Sequence, residues 1–311
     1  MSTTRRAVRS DDAEALLAIW HAHQIAVLGR PDTTLDEARD VVEDPDLHSR
    51  SLLAHDAAGR PLGCALVFAA GDSGRVDVDV VVDPVRASDL FGDLLAHAVS
   101  LAADRARACG SREVRIDQSC YRDDVRTADA LRAAGFQVAT TFHRMRRSLD
   151  GPVDVRLPDG VTVERVDDET DDVLRRAYDL HATTFAGHFG VDHRPFEQWL
   201  AAVRARTGTG PLWFARLHGD DVGFLHETDQ FVEDEDAGYV WRLGVADRAR
   251  GRGVAKALLL SAFVGMQERG RSVALLHVDS NNATGATRLY ESVGMTPVVV
   301  LDVWRCTRSV G

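Results

Sequence analysis

The chain has 311 residues, 45% of them hydrophobic and 27% charged, with a formal net charge of −11 at pH 7, a composition typical of folded globular domains. The acidic balance argues against nucleic-acid binding, because a surface that follows phosphates needs clustered cations. No apolar run approaches the roughly 20 residues of a membrane span, and the first residues lack the apolar segment of a signal peptide, so a cytoplasmic protein is expected.

The predicted elements occur in the same order twice along the chain. Residues 3–9, TTRRAVR, predict a strand, and the amphipathic segment that follows predicts a helix capped by Ser10 or Asp11. Residues 160–166, GVTVERV, again predict a strand, followed by a helix with acidic residues in its first turn. Each copy continues with a meander of strands, a long helix, a strand, a helix and a final strand. This order predicts a mixed α/β (α+β) sheet with helices packed on it.

Two further pairs of segments support an internal repeat. GRPLGCALVFA at 59–69 parallels GDDVGFLHETD at 219–229. ADALRAAGFQVATTFHRMRR at 128–147 parallels ATRLYESVGMTPVVVLDVWR at 286–305. Self-similarity of this kind indicates two copies of one domain.

The boundary between the copies is expected at residues 148–160, SLDGPVDVRLPDG, which form a linker with Gly, Pro and Asp at turn positions. We therefore predict an N-terminal domain over 1–147 and a C-terminal domain over 161–311. Four cysteines are spread over the chain, and their wide spacing predicts reduced thiols instead of a disulfide framework or a metal site.

The copies differ after the strand that precedes the long helix. In the C-terminal copy this strand runs into ADRARGRGVAKALL at 246–259, whereas the N-terminal copy has DPVRASDLFGDLL at 83–95, without the paired glycines. A strand, a glycine turn and a helix place several unpaired backbone N–H groups and the positive end of the helix dipole around one point. A phosphate group fits there.

The residues of this loop indicate a pyrophosphate site. Gly251 and Gly253 remove the Cβ atoms that would hold a pyrophosphate away from the backbone, and Arg248, Arg250 and Arg252 raise the local positive potential. The alternative is a sharp turn whose glycines serve packing alone. The loop is not a P-loop, because no Gly-Lys-Ser/Thr follows, and the incomplete Gly-x-Gly-x-x-Gly pattern argues against a dinucleotide site.

The segment VADRARGRGVAKALL resembles the signature of the GNAT superfamily of acyl-CoA N-acyltransferases, in which Arg/Gln-x-x-Gly-x-Gly/Ala binds the pyrophosphate of coenzyme A. Arg248, Gly251 and Gly253 occupy these positions. HVDSNNATGATRLYESVGM at 277–295 resembles the family's next strand and helix, with Tyr290 in the Leu-Tyr-x-x-x-Gly pattern. A tandem pair with a degenerate N-terminal copy resembles the double-GNAT group that includes mycothiol synthase. The resemblance implies two GNAT-like domains, each with a mixed, mostly antiparallel twisted sheet flanked by helices.

The resemblance also implies a coenzyme A site that begins on the strand before the loop. A backbone N–H between Leu243 and Val245 would face the thioester carbonyl, and Gly244 would be consistent with a bulge there. Asn281 or Asn282 would bond the pantetheine arm. The residues expected to contact the cofactor are Leu243, Gly244, Val245, Arg248, Arg250, Gly251, Arg252, Gly253, Val254, Ala255, Asn281, Asn282 and Tyr290.

Tyr290 corresponds to the family's thiolate-facing tyrosine. A phenol with a pKa of about 10 can donate a proton to the departing thiolate at neutral pH. The alternative is a half-buried helix tyrosine without a catalytic role. The N-terminal copy has Leu131 at the matching position, which agrees with an inactive first domain.

For the general base, the candidates are acids and histidines on neighbouring strands. Glu227 is one such candidate, with His226, His277 and Asp279 as alternatives, and deprotonation through water is equally compatible. Where mycothiol synthase has a strand glutamate, this chain has Tyr239, a departure that puts a mycothiol-type substrate in question.

The acceptor side of the site is expected to be formed by two segments. Residues 227–238 carry six acids in a hairpin-like loop, which would attract a cationic amine or, alternatively, serve as a solvated loop. Residues 183–200 fall where family members build the acceptor wall, so His188, His193 and Trp199 are candidates for lining it. Because the two histidines lack a third ligand at useful spacing, no metal is expected.

These features together predict an acetyl-CoA-dependent N-acetyltransferase. It would act from the C-terminal domain on a primary amine of a small molecule, such as an amino sugar or a mycothiol-type precursor. The alternatives are acetylation of a protein N-terminus or an antibiotic amine, and a non-catalytic acyl-CoA-binding module. The expected partner is a small-molecule acceptor, with no nucleic acid or membrane, and the chain is expected to be a monomer or a homodimer.

Overall fold

A computed structural model describes residues 3–44, 46–69, 74–185, 195–204, 209–279 and 286–310. The strands in these segments are β1 (Thr4–Arg6), β2 (Ser51–His55), β3 (Pro61–Ala69), β4 (Arg75–Val82), β5 (Glu113–Tyr121), β6 (Gln137–Ser148), β7 (Val161–Val166), β8 (Thr209–Leu217), β9 (Asp220–Phe231), β10 (Ala237–Val245), β11 (Val273–Asp279) and β12 (Thr296–Ser309). The helices are α1 (Ala13–Leu28), α2 (Leu35–Val42), α3 (Phe91–Ala108), α4 (Val125–Ala133), α5 (Asp171–Thr184), α6 (Phe196–Arg204), α7 (Val232–Glu235), α8 (Val254–Glu268) and α9 (Ala286–Ser292).

The chain forms two compact units whose bounds differ from those of the two sequence copies. The N-terminal unit comprises Met1–Thr141 and Val300–Gly311, and the C-terminal unit comprises Phe142–Val299. The last strand of each copy contributes to the unit built by the other copy, because β12 pairs with β5 and β6 pairs with β11. The division of the repeats at 1–147 and 161–311 stays a prediction.

In the N-terminal unit the strand order is β1-β2-β3-β4-β5-β12. β4 and β5 are parallel, and the other described neighbours are antiparallel. The alternation of side chains along β3 explains why helices cover both faces: Ala65 and Val67 belong to the core with α3, whereas Cys64 and Leu66 belong to the core with α1 and α2.

The C-terminal unit repeats this arrangement with the order β6-β11-β10-β9-β8-β7. Here β10 and β11 are parallel, and the other described neighbours are antiparallel. Trp213 and Leu225 pack on the α8 side, and Phe214 and Phe224 pack on the α5 and α6 side. The predicted mixed, mostly antiparallel sheet flanked by helices is therefore confirmed in both units.

The first helix begins later than its predicted caps. Its N-cap is Asp12, whose side chain does not cap the helix, so Ser10 and Asp11 lie outside it. The Asp12 carboxylate instead accepts hydrogen bonds from Arg6 and from the Arg9 backbone N–H. Of the helices in the described segments, none is long and apolar enough to cross a membrane.

Candidate acyl-CoA site

A cavity in the C-terminal unit lies where β10 and β11 separate. β10 pairs with β11 from Ala237 to Val240, and then continues beside β9 as far as Val245. From Leu243 to Val245, one edge of β10 has no paired strand within the described part of the chain, so backbone polar groups on that edge are available to a ligand. A cavity of about 310 Å³ opens beside this edge.

This cavity brings together most of the residues predicted to hold coenzyme A. The predicted residues that line it are Leu243, Gly244, Val245, Arg250, Gly251, Gly253, Val254, Ala255 and Tyr290. The lining residues that the motifs did not indicate are Thr184, Ala249, Lys256, Ala286 and Leu289. Of the other predicted residues, Arg248 and Arg252 do not line the cavity, and Asn281 and Asn282 lie outside the described residues.

The loop before α8 has a backbone geometry that favours glycine. Gly251 and Gly253 have φ values of +73° and +77°, a region that costs other residues about 1–2 kcal/mol. Gly253 is the N-cap of α8, and no side chain caps this helix in the described structure. Because the amide groups of its first turn have no side-chain acceptor, the start of α8 presents free N–H donors and the positive end of a helix dipole.

Two of the three arginines predicted to raise the positive potential of the loop are engaged by other groups. Arg248 donates a hydrogen bond to the Asp221 carbonyl at 2.8 Å, and Arg250 lines the cavity but pairs with Asp247 at 2.9 Å. Lys256, the one lysine of the sequence, lines the cavity in the first turn of α8. Its ammonium group therefore adds a cation beside the uncapped helix start.

Gly244 permits close packing and does not form the expected bulge. The register irregularity of β10 lies between Val240 and Arg242, whereas Gly244 pairs in register with Phe224. A Cβ atom at Gly244 would clash with the Thr184 hydroxyl oxygen at the end of α5. The glycine therefore lets α5 approach the strand and close one side of the cavity.

Tyr290 lies in α9 and lines the same cavity. Burial raises the pKa of its hydroxyl to about 12, and nearby Tyr239 adds to this effect. The hydroxyl therefore keeps its proton at neutral pH and can act as a donor. Leu131, at the matching position of the N-terminal copy, is fully buried in an apolar core.

Glu227, the predicted candidate for the base, is not among the described residues that line the cavity, and its role as a base stays a prediction. Its carboxylate accepts a hydrogen bond from Trp213 Nε1 at 2.5 Å and pairs with Arg269, which follows the C-terminal end of α8. Glu227 pairs with Val240 across β9 and β10, whereas the part of β10 that lines the cavity begins at Leu243. Burial raises the pKa of Glu227 to about 7 despite the opposing charge of Arg269.

The two histidines considered as bases are also engaged by neighbouring side chains. His226 is fully buried, and its Nε2 lies 2.8 Å from Glu169 Oε1. The Tyr239 hydroxyl lies 2.9 Å from His277 Nδ1. Burial, together with the positive charge of Arg144, lowers the pKa of His277 to about 4, so its imidazole is neutral at pH 7.

The acidic segment is not a loop at the mouth of the cavity. β9 extends to Phe231, and α7 then leads into β10. Asp229 lies 3.6 Å from Arg271, and Glu235 pairs with Arg144. Asp229 and Glu235 lie near the start of β10, whereas the cavity lies at its end, and arginines balance their charge. Attraction of a cationic amine by this segment stays a prediction.

The predicted acceptor wall is described only in part. Trp199 is buried in α6 and packs against Phe196 and Tyr178 in an aromatic cluster. His188 and His193 lie outside the described residues. Within the part of the chain that the structure describes, no group of three or more His, Cys, Asp and Glu side chains is arranged to hold a metal ion.

Several known proteins are similar to this chain in sequence. The profile of the Acetyltransferase (GNAT) family matches residues 174–295. A mycothiol acetyltransferase of Thermobispora bispora is 35% identical over 242 residues, which cover 73% of this chain and 75% of that protein. A mycothiol acetyltransferase of Streptomyces avermitilis is 27% identical over 298 residues, which cover 90% of this chain and 91% of the relative.

Solved structures show a similar fold over the whole chain. A GCN5-related N-acetyltransferase from Sphaerobacter thermophilus has a TM-score of 0.84 at 24% identity, covering 99% of this chain and 96% of the other. A tandem GNAT protein from the clavulanic acid biosynthesis pathway has a TM-score of 0.70 at 15% identity, covering 100% of this chain and 99% of the other. These two solved structures show a likeness of fold alone. The Thermobispora bispora relative, at 35% identity, shows a likeness of sequence as well. This chain therefore belongs to the GNAT acetyltransferase family.

Proposed function

We propose that this acyltransferase moves the acetyl group of acetyl-CoA to a primary amine of a small molecule, and that transfer takes place at the C-terminal cavity. The observation that carries the proposal is the meeting of three features in one cavity of about 310 Å³. These are an uncapped helix start, an open strand edge and a protonated tyrosine. Each matches a different part of a thioester cosubstrate.

The two ends of this cavity suit different parts of coenzyme A. The N–H groups at the start of α8 and the ammonium group of Lys256 would hold the pyrophosphate, because both present positive charge. Gly251 and Gly253 carry no side chain that would keep the pyrophosphate away from these groups. The open edge of β10 from Leu243 to Val245 would receive the pantetheine arm and the thioester. Asn281 and Asn282 stay candidates for contacting the same arm.

The chemistry requires attack by an amine nitrogen on the thioester carbonyl, followed by cleavage of the C–S bond. A backbone N–H on the open edge of β10 would stabilise the oxyanion of the tetrahedral intermediate. Tyr290 would donate its proton to the departing thiolate and recover one from solvent. With a pKa of about 12, the Tyr290 hydroxyl is protonated before each turnover.

We propose that the acceptor amine loses its proton to water and not to a dedicated side chain. Glu227 does not line the cavity and is engaged by Trp213 and Arg269, and His277, with a pKa of about 4, binds protons weakly at neutral pH. The rate should therefore follow the pKa of each acceptor amine. A rate profile that keeps one pKa near 7 for amines of different basicity would contradict this assignment.

The acceptor class follows from the relatives. Both named relatives are mycothiol acetyltransferases, so the amine precursor of mycothiol is the first acceptor to test. Tyr239 stands where the resemblance places a glutamate, and its hydroxyl is engaged by His277, so the acceptor contacts there differ from those of a carboxylate. Amino sugars, antibiotic amines and peptides with a free N-terminus complete the panel.

The experiment follows thiol release from acetyl-CoA with each acceptor, and mass spectrometry of the product identifies the acetylated amine. Tyr290→Phe should lower kcat by about 100-fold while leaving acetyl-CoA affinity unchanged, because only the transferable proton is removed. Tyr178→Phe is the matched control, since Tyr178 packs in the aromatic cluster with Trp199. Equal rates for the two variants would contradict the role of Tyr290.

A further inference from the structure

A second cavity, of about 320 Å³, lies in the N-terminal unit. It opens where β4 and β5 separate, because these strands pair in parallel only up to Val78 and Gln118 in the described residues. This is the same place in the fold as the acyl-CoA cavity of the other copy. Its chemistry is different: four carboxylates line it, and no lysine or arginine is among its described lining residues. The acids are Asp32, Glu37, Asp79 and Asp124.

In this unit the loop between β4 and α3 has two of its N–H groups bound by a side chain. The Asp83 carboxylate accepts hydrogen bonds from the backbone N–H groups of Val85 and Arg86, at 3.0 and 2.9 Å. It also pairs with Arg86 Nε at 2.7 Å. The Asp83 carboxylate therefore binds two N–H groups of this loop, and its negative charge would repel a phosphate nearby.

The strand edge that would receive a pantetheine arm is also filled. Gln118 Oε1 accepts a hydrogen bond from the Val80 backbone N–H at 2.9 Å, and Gln118 Nε2 donates to the Ser119 carbonyl at 2.8 Å. In the C-terminal unit the corresponding edge of β10 is open. Both parts of an acyl-CoA site are thus satisfied internally, although a cavity of ligand size persists.

Among the acids of this cavity, Asp79 is distinguished by its few partners. Asp124 pairs with His23 at 2.8 Å, and Glu37 accepts a hydrogen bond from the Thr34 backbone N–H at 2.9 Å. The Asp79 carboxylate accepts one hydrogen bond from a described residue, the Trp20 indole at 3.1 Å. Burial raises the pKa of Asp79, and the hydrogen bond from Trp20 and the charge of His23 offset this effect only in part.

A carboxylate of this kind beside aromatic rings is the acceptor set that an ammonium group needs. The ammonium would supply the missing charge-assisted hydrogen bonds to Asp79, and the side chains of Trp20 and Tyr121 offer aromatic surface around it. We propose that the N-terminal cavity binds a small organic ammonium compound on Asp79. This site requires no acyl-CoA and is separate from acetyl transfer in the C-terminal cavity.

The test uses the full chain labelled with ¹⁵N and follows the indole N–H signal of Trp20, which is assigned by its disappearance in Trp20→Phe. Ethanolamine, putrescine and glucosamine are titrated as probes. Ethylene glycol, butane-1,4-diol and glucose are their neutral counterparts. Because Trp20 donates to Asp79, a ligand on this carboxylate changes the Trp20 signal directly, whatever binds at the C-terminal cavity.

We expect at least one ammonium probe to shift the Trp20 signal saturably, and its neutral counterpart to leave the signal in place. Asp79→Asn should weaken binding by about tenfold or more, because the side chain keeps its shape and an oxygen acceptor for Trp20 but loses its charge. Asp123→Asn, which removes an exposed carboxylate on the adjoining turn, should leave the affinity unchanged.

Three results would overturn the proposal. These are no saturable shift with any ammonium probe, equal shifts with the neutral compounds, or unchanged affinity in Asp79→Asn. A Trp20 shift produced by coenzyme A would also overturn it, since the loop at Asp83 would then admit a phosphate. Thiol release measured on the same samples separates this site from acetyl transfer: an active enzyme without a Trp20 response contradicts only the ammonium site.

Discussion

Replacing Gly251 by alanine tests whether the start of α8 binds a pyrophosphate. Gly251 has φ +73°, and a Cβ atom there would meet no protein atom within 4 Å. The replacement therefore adds backbone strain of about 1–2 kcal/mol without a steric clash inside the protein. In the proposed complex the same Cβ would hold the pyrophosphate away from the N–H groups of the loop. The loss of one charge-assisted hydrogen bond, about 1.5–3 kcal/mol, weakens acetyl-CoA binding by about 10- to 100-fold.

Gly270→Ala provides a matched control at the other end of α8. Gly270 has φ +78°, and its Cβ would likewise meet nothing within 4 Å, so the strain should be the same. Thermal unfolding should show similar losses of stability for the two variants. Titration calorimetry with acetyl-CoA should show weaker binding for Gly251→Ala alone. If the two variants bind acetyl-CoA equally well, the free N–H groups before α8 do not form the pyrophosphate site.

Three further variants test other parts of the site. Lys256→Met should weaken acetyl-CoA binding by about three- to tenfold at low ionic strength and less at high salt, as calorimetry in two salt concentrations would show, because an exposed cation is screened. Gly244→Ala should lower the melting temperature and the acetyl-transfer rate together, since its Cβ clashes with Thr184; a variant with wild-type values would contradict the close packing. Glu227→Gln should leave the rate within about twofold. Because the pKa of Glu227 is raised to about 7 from 4.5, the folded chain holds a proton that the unfolded chain releases, and stability falls by up to about 3 kcal/mol as pH rises from 4.5 to 7. Urea unfolding at several pH values should show this decline flattened in the variant, and an unchanged pH dependence would contradict the raised pKa.

Several features of the site could be predicted because they depend on residues that are close in the sequence. The positive φ at Gly251 and Gly253 and the uncapped start of α8 are local consequences of a glycine turn before an amphipathic helix. The alternation of apolar residues indicated strands, and their repetition indicated two copies of one fold. Tyr290 could be placed because its motif lies on one short helix.

Features that depend on distant partners could not be predicted in this way. Glu227 pairs with Arg269, which lies 42 positions further along the chain, and neither residue lines the cavity. Gln118 fills the edge of β4 through a bond to Val80, 38 positions away. Nothing in the segment around either residue specifies such a partner. Lys256 gave a weak signal as the one lysine of the sequence, but only the structure shows that it lines the cavity.

The sequence by itself determined the order of the elements, the repeated sheet and the loop with the geometry of an anion site, because these follow from propensity, periodicity and helix termini. The tertiary structure alone decided which sheet each final strand joins, since an alternating apolar pattern defines the faces of a strand but not its neighbour. It also decided that Asp83 binds N–H groups of the loop after β4, whereas no side chain caps the start of α8. The two copies of one fold therefore have different sites. Side chains bind the backbone groups of the loop and strand edge in the N-terminal unit, whereas the corresponding groups of the C-terminal unit are left to a ligand.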